Sequence, residues 1–417
     1  MISPPQPLSW PELAALAPPE PDRFQGPTNA QARWRLFGAS QEAVRVVLYR
    51  DHHAWCPYCH KVWLWLEERA VPYAVRKVSM SCYGDKEPWY RQWVPSGMLP
   101  ALELDGRLIT ESDQILEALE NSFGILGRSL HDAEVLRLRR LERTLFGAWC
   151  DWLCRTGSGP AAARAEQCFS AEAVALEQQI RATPGPLALE TFSVADVVLA
   201  PFLERMAASL AYYKGVLLRQ RHPVLDGWFE AMEARATYTG TQSDFHTHAH
   251  DLPPQMGGCV ASGDSAQRQL ARQIDAGPWP IAAGRRADVE TSQPEPPGSA
   301  GLALGRVLRH RRALLARWPA RPAEIDAALR CALTTLVQGR PVPPPPATAA
   351  ALRQLRDRIC VPRDMPLHAA RCLRQALEAT ACLDPLDPQA QGPALPLQHR
   401  RDQDPALFLQ ATSSSAA

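Results

Sequence analysis

Long apolar runs are missing from this chain. The longest, Val197 to Leu203, is fenced by Asp196 and Glu204, far short of the ~20 residues that cross a bilayer as a helix, so a helical membrane span is excluded. An excess of one charge is missing too. Forty-five Lys+Arg stand against 44 Asp+Glu, a net charge of +1, so no global field draws the chain to nucleic acid or to an anionic membrane. Lysine is scarce, 4 residues beside 41 arginines, a bias that fits genomic base composition better than function. The opening MISPPQPLSW lacks the basic-then-apolar order of a secretory signal. An even cysteine count is lacking as well. Most of the eleven cysteines, such as Cys150, Cys154, Cys331 and Cys372, sit singly in apolar helical patterns. Cysteine used as a small hydrophobe predicts a reducing compartment, and hence a cytoplasmic protein without a disulfide framework.

What the chain does have is length, apolar residues and proline. Its 417 residues predict two to three domains. A hydrophobic content of 46% supplies sizeable cores, while 39 prolines exceed the ordinary share of about 5% and predict linker or disorder. Residues 1–43 read as a Pro-rich, partly disordered lead-in. From 44 to 125 the order is strand (Val44 to Arg50), helix (Tyr58 to Arg69), strand (Tyr73 to Val78) and a short Trp-rich helix. A hairpin follows around Asp105-Gly106, then a helix from Ser112. Residues 131–245 carry only helical periodicity, and Ser193 with Asp196 forms a capping-box-like start there. Residues 246–300 read as a disordered linker, 301–384 as a basic helical extension and 385–417 as a disordered tail.

The strongest chemical signal is Cys56-Pro57-Tyr58-Cys59 between a strand and a helix. A thiol at a helix N-terminus meets unpaired N–H donors and the positive end of the dipole, which favour thiolate, the species that attacks disulfides. A second cysteine one turn on can attack the mixed disulfide that results. Half of a zinc site is the alternative, but His52, His53 and His60 fall on the wrong rhythm to complete it.

Residues 44 to 124, through CPYC, KEPWYRQWVPSGMLPALEL and ITESDQILEALE, resemble the N-terminal thioredoxin-like domain of glutathione transferases. The resemblance is to their cysteine-type classes: omega-like, lambda-like and dehydroascorbate reductases. Residues 131 to 240 look like the family's helical domain. YRDHHAWCPYC together with VPRDMP is similar to a cyanobacterial and plastid subgroup with a helical extension. The fold implied is an α/β thioredoxin-like domain, an all-α transferase domain and an additional helical extension. The resemblance implies glutathione as cosubstrate, no metal, and Cys56 and Cys59 as the catalytic thiols. It also implies a glutathione site of Lys86, Leu99, Pro100, Glu111 and Ser112. Pro100 would be cis and turn the Leu99 backbone toward the cysteinyl amide, Ser112 and Glu111 would hold the γ-glutamyl end, and Lys86 would lie near the glycyl carboxylate.

A cysteine where conjugating classes place Ser or Tyr implies thiol–disulfide exchange through a Cys56 mixed disulfide, with one thiol favoured over two. Conjugation of electrophiles and a non-catalytic scaffold are the rival readings. The partners expected are glutathione and an unidentified small or protein thiol or disulfide, and the resemblance allows a homodimer. Trp149, Trp152 and Tyr212 are candidate linings of the second-substrate pocket. His246, His248 and His250 read as incidental surface histidines. The extension from Gly301 to Thr380 carries 14 arginines against five acidic residues, and this excess predicts either a solvated bundle or weak, salt-sensitive docking on the catalytic domain.

Overall fold

A computed structural model describes residues 6–279, 289–318 and 320–392. The β-branched run after Val44 forms the central strand of a five-stranded sheet. Its strands are β1 (Trp34–Arg35), β2 (Val46–Asp51), β3 (Tyr73–Val78), β4 (Ala101–Leu104) and β5 (Arg107–Thr110), in the order β1-β3-β2-β4-β5. β2 runs parallel to β3, with Val46 opposite Tyr73, and antiparallel to β4, with Leu48 opposite Leu102. The Asp105-Gly106 turn has φ of +51° and +81°, the pair of left-handed residues that a two-residue hairpin requires.

Helix α1 (Trp10–Leu16) packs on the C-terminal extension, and three helices accompany the sheet: α2 (Pro57–Glu68), α3 (Pro88–Trp93) and α4 (Ser112–Phe123). Helix α2 is apolar on every side, and Val62, Trp63, Leu64, Trp65 and Leu66 are all buried. The sheet covers one of its faces and the central helix of the next domain another. That domain holds α5 (Ala133–Arg155), α6 (Gly159–Arg181), α7 (Val194–Lys214), α8 (Leu218–Arg221), α9 (Pro223–Glu233) and α10 (Ala236–Thr241). The apolar run of the sequence is the middle of α7. Its start is closed by the predicted capping box, in which Ser193 Oγ and the Asp196 carboxylate each take the other's backbone N–H group or its neighbour's. Asp196 also accepts from Trp228 Nε1 at 2.9 Å. One hydrophobic core runs from β2 through α2 into α7 and α9.

Three expectations about the remaining chain are corrected. Residues 246–300 are not a featureless linker: they contain α11 (Phe245–Met256) and α12 (Ser265–Ala276), both packed on α7. Asp244 and Asp264 cap them, accepting the Thr247 and Gln267 N–H groups at 2.9 and 2.8 Å. Residues 6–43 are not a loose lead-in either. Arg35 pairs with buried Glu67 of α2 at 2.8 Å, and Glu67 also accepts from Thr28 and Tyr73. Upstream, Trp10 Nε1 donates to Asp326 at 2.8 Å and Leu13 enters the core of the extension. Part of the predicted tail is held too, since Arg353 donates to the Pro388 and Ala390 carbonyls. Residues 1–5 and 393–417, predicted as lead-in and tail, lie outside the described residues.

The extension consists of α13 (Ser299–Leu315), α14 (Pro322–Gln338), α15 (Ala349–Asp357) and α16 (Leu367–Ala381) around a second core. Its positive charge is not simply a solvated face. Arg353, Arg356, Arg371 and Arg374 are buried. Arg371 meets Glu290 at 2.5 Å and Glu295 at 2.8 Å, and Arg374 pairs with Asp244 at the start of α11. The stretch between α15 and α16 wedges against both transferase-like domains. Val361 N–H donates to Thr247 Oγ1 at 3.2 Å, Gln31 Nε2 donates to the Pro362 and Arg363 carbonyls, and Cys360 packs with Trp55 and Tyr83.

Losing one member of a buried ion pair strands the other without water. Arg374→Met is therefore expected to destabilise the chain by about 3–5 kcal/mol, read as a lower urea midpoint. The double variant with Asp244→Asn should recover part of that loss, because Asn still caps α11.

Candidate functional site

The Cys56-Pro57-Tyr58-Cys59 segment forms the first turn of α2. Cys56 is its N-cap and Pro57 its first residue, where a missing N–H group costs nothing. Cys56 Sγ accepts the Cys59 N–H group at 3.3 Å, so the cap donor points at sulfur. Behind the loop, Asp51 at the end of β2 accepts the Trp55 N–H at 2.7 Å and the Cys56 N–H at 3.3 Å. Arg205 of α7 holds the Trp55 carbonyl. These fixings set the backbone of the motif from two domains.

The two thiols are unequal. Cys59 is 1% exposed; its burial, and then the neighbouring Cys56 thiol, push its pKa well up and keep it protonated. Cys56 retains 5% of its surface, less than a thiol at an open site mouth would, and its sulfur lies 3.9 Å from the Leu99 carbonyl oxygen.

The other predicted residues sort as follows. The Leu99-Pro100 peptide is cis, and the loop before it is anchored by Tyr90 Oη donating to the Met98 carbonyl at 2.6 Å. Glu111 is exposed and has φ of +65°, a conformation that residues other than glycine rarely adopt. Ser112 is the buried first residue of α4, which packs on α2. Lys86 departs from expectation. It is 6% exposed and donates to the Ser79 carbonyl at 2.6 Å. Burial lowers its pKa, while the Cys59 and Cys56 thiols pull the other way.

Of the aromatic residues expected around a second substrate, Trp149 and Trp152 belong to the core. Trp149 Nε1 donates to buried Ser209 at 3.0 Å, and Trp152 packs on Phe169. Tyr212 donates to Asp275 at 2.8 Å.

The histidines are a correction as well. His246, His248 and His250 lie on α11, and the first two are buried. His248 Nε2 is 2.6 Å from Glu204 Oε1. Burial and the Arg205 charge oppose protonation of His248, but its bonds to Asp251 and Glu204 outweigh them and raise its pKa. Sequence reading missed this layer of Asp51, Arg205, Glu204, His248 and His60 under the motif. The one available signal was Asp51, an acid closing an apolar strand. Among the described residues, two groups bring metal-ligating atoms within 4.8 Å of one another: Asp51, Cys56 and Cys59, and His246, His250 and Asp275. In the first, each Asp51 oxygen already holds a backbone amide of the motif loop.

A thiol capping a helix of a thioredoxin-like sheet, docked on an all-helical domain, defines a glutathione-transferase fold. Residues 55–122 match "Glutathione S-transferase, N-terminal domain" and residues 159–231 match "Glutathione S-transferase, C-terminal domain"; these two segments carry the two halves of that fold. It is 28% identical over 191 residues to glutathione S-transferase DHAR3, chloroplastic, of Arabidopsis thaliana, covering 45% of this chain and 69% of that one. It is 28% identical over 189 residues to glutathione S-transferase DHAR2 of the same plant, covering 45% and 84%. Among solved structures, glutathione transferase Omega 3C from Trametes versicolor is 22% identical with a TM-score of 0.42, over 58% of this chain and 98% of that one. Dehydroascorbate reductase of Chlamydomonas reinhardtii is 21% identical with a TM-score of 0.38, over 48% and 92%.

His60, on α2 beside Cys59, gives a pH prediction. Its Nε2 is 2.8 Å from Thr241 Oγ1, and burial lowers its pKa to about 3. Between that value and about 6.5 the unfolded chain holds a proton that the folded chain refuses. The contribution of His60 is therefore full above pH ~6.5 and falls by about 1.4 kcal/mol per unit as pH drops toward the folded value. His60→Gln should flatten the acid limb of a stability–pH curve relative to the parent.

Proposed function

We propose that this chain is a member of the glutathione S-transferase family and a glutathione-dependent thiol oxidoreductase acting through Cys56, with reduction of a small or protein disulfide, or a dehydroascorbate-type reduction, as its reaction. The carrying observation is the inequality of the two thiols: Cys56 accepts the cap N–H of α2, whereas burial keeps Cys59 protonated. Cys56 thiolate attacks a mixed disulfide of glutathione, takes the glutathionyl group and expels the substrate thiolate, which picks up a proton. A second glutathione thiolate attacks the Cys56–glutathione bond, releasing glutathione disulfide and restoring Cys56. For a dehydroascorbate-type substrate, Cys56 and one reduced glutathione give up two electrons and two protons to the substrate and join as the Cys56–glutathione disulfide, and a second reduced glutathione then releases glutathione disulfide and restores Cys56. The names of the relatives DHAR3 and DHAR2 support the glutathione-dependent redox class. Leu99, Pro100, Glu111 and Ser112 are the proposed glutathione contacts. Lys86, buried beside the thiols, is assigned to stabilising negative charge at sulfur in place of a role at the glycyl carboxylate.

The test is a pair of variants assayed with glutathione and a low-molecular-weight mixed disulfide. Cys56→Ser should fall to the uncatalysed background while keeping its fold. Cys59→Ser should retain activity and, with glutathione disulfide, carry a single glutathione on Cys56 by intact mass. Full activity of Cys56→Ser would overturn the assignment. A Cys56–Cys59 disulfide as the main oxidised form of the parent would replace the one-thiol route with a two-thiol one.

A further inference from the structure

The histidines of α11 do more than fill space. His246 and His250 are one turn apart on the same helix face, with ring centroids 4.7 Å apart. Two carboxylates from other elements converge on them. Asp275 of α12 brings Oδ1 to 2.7 Å from His250 Nε2 and 4.0 Å from His246 Nε2. Asp357, the last residue of α15 in the extension, brings Oδ1 to 4.0 Å from the same His246 nitrogen. We propose that His246, His250, Asp275 and Asp357 form a binding site for one divalent transition-metal ion, Zn²⁺ in the first place, that joins the extension to the transferase-like domains.

The geometry and the donor set both favour this. Zn²⁺ takes imidazole nitrogen at about 2.0–2.1 Å and carboxylate oxygen at about 2.0–2.2 Å in a tetrahedral array, which puts ligand atoms roughly 3.3–3.5 Å apart. The donors of His246, His250 and Asp275 lie within 4.8 Å of one another, and their separations of 2.7 and 4.0 Å fall on either side of that spacing; Asp357, 4.0 Å from His246 and outside that cluster, would swing in to close the shell. Two neutral imidazoles with two carboxylates suit Zn²⁺ and Co²⁺, whereas soft metals prefer sulfur and Ca²⁺ prefers an all-oxygen cage.

Outer partners fix both carboxylates. Tyr212 Oη donates to Asp275 Oδ2 at 2.8 Å, which turns Oδ1 toward the histidines. Arg356 Nε donates to Asp357 Oδ1 at 2.7 Å, so a bound metal would share that carboxylate with a guanidinium. Such second contacts orient ligands in metal sites generally. Access exists as well: the His246 side chain is 4% exposed, but those of His250, Asp275 and Asp357 are 28, 36 and 27% exposed. A surface salt-bridge network would use the same residues, and metal binding separates the two accounts.

The full-length chain, stripped with chelator, is titrated with Zn²⁺ against a chromophoric competitor and with Co²⁺ by visible absorption. One equivalent of Zn²⁺ is expected. Affinity should fall at least tenfold in each of His250→Ala, Asp275→Asn and Asp357→Asn, positions exposed enough for the variants to fold. Bound Co²⁺ should show tetrahedral d–d absorption without a thiolate charge-transfer band. Zn²⁺ should also raise the melting midpoint of the parent and leave that of Asp357→Asn unchanged. Failure of the parent to bind, unchanged affinity in the variants, or a thiolate band pointing to Cys56 and Cys59 would each overturn the proposal.

Discussion

The clamping of α2 between a sheet and a second domain is the constraint from which the rest of the site follows. A helix buried on all sides cannot tilt to suit its ends, so the position of its first turn is fixed by Val62, Leu64 and Leu66 and not by solvent. Cys56 inherits that rigidity. Its amide and that of Trp55 are held by Asp51 from the sheet side, and the Trp55 carbonyl is held by Arg205 from α7. A thiol placed this way depends on both domains at once, so the helical domain helps to set its position.

The same burial separates the fates of two cysteines that look equivalent in sequence. Three residues along a helix is almost one turn, so Cys59 points back along the axis into the protein, where charge is costly, while Cys56 sits at the cap, where backbone donors are unpaired. Lys86 adds a buried positive charge on the loop side. Position on the helix thus leaves one thiol at the cap and the other as a buried, protonated neighbour.

Much of this was legible beforehand. The strand–CPYC–helix order, the Asp105-Gly106 hairpin and the Ser193–Asp196 cap each rest on local rules of backbone geometry, and local rules survive folding. What escaped was chiefly non-local or masked by composition. Phe245, Ala249 and Leu252 are an i, i+4, i+7 stripe, yet Pro253, Pro254 and three histidines between them read as linker. The histidines are accommodated inside because Glu204 of α7 and Asp275 of α12 meet them from elsewhere in the fold, beside Asp251 of their own helix, and no spacing rule announces the first two. The burial of Trp149 and Lys86 was hidden for the same reason: an amphipathic side chain shows its preference only once neighbours are known.

The arginine excess of the extension shows how a composition can be read correctly in number and wrongly in place. Nine surplus positive charges on a helical segment suggest a solvated face or weak, salt-sensitive docking on the catalytic domain. Four of those arginines are instead interior. They pair with Glu378 inside the extension, with Glu290 and Glu295 from the preceding stretch, and with Asp244 at the cap of α11. Arginine suits this task because its planar guanidinium stays charged and satisfies several acceptors at once. Three of these four acids lie upstream of the extension, Glu290 and Glu295 of them in the stretch that composition marked as linker, so counting charge by segment made the extension look unpaired. Once that stretch is seen as the complementary half of an internal interface, the extension becomes part of one structure with the transferase-like domains. Cys360, resting on Trp55 beside the thiol motif, puts that shared structure directly behind the site.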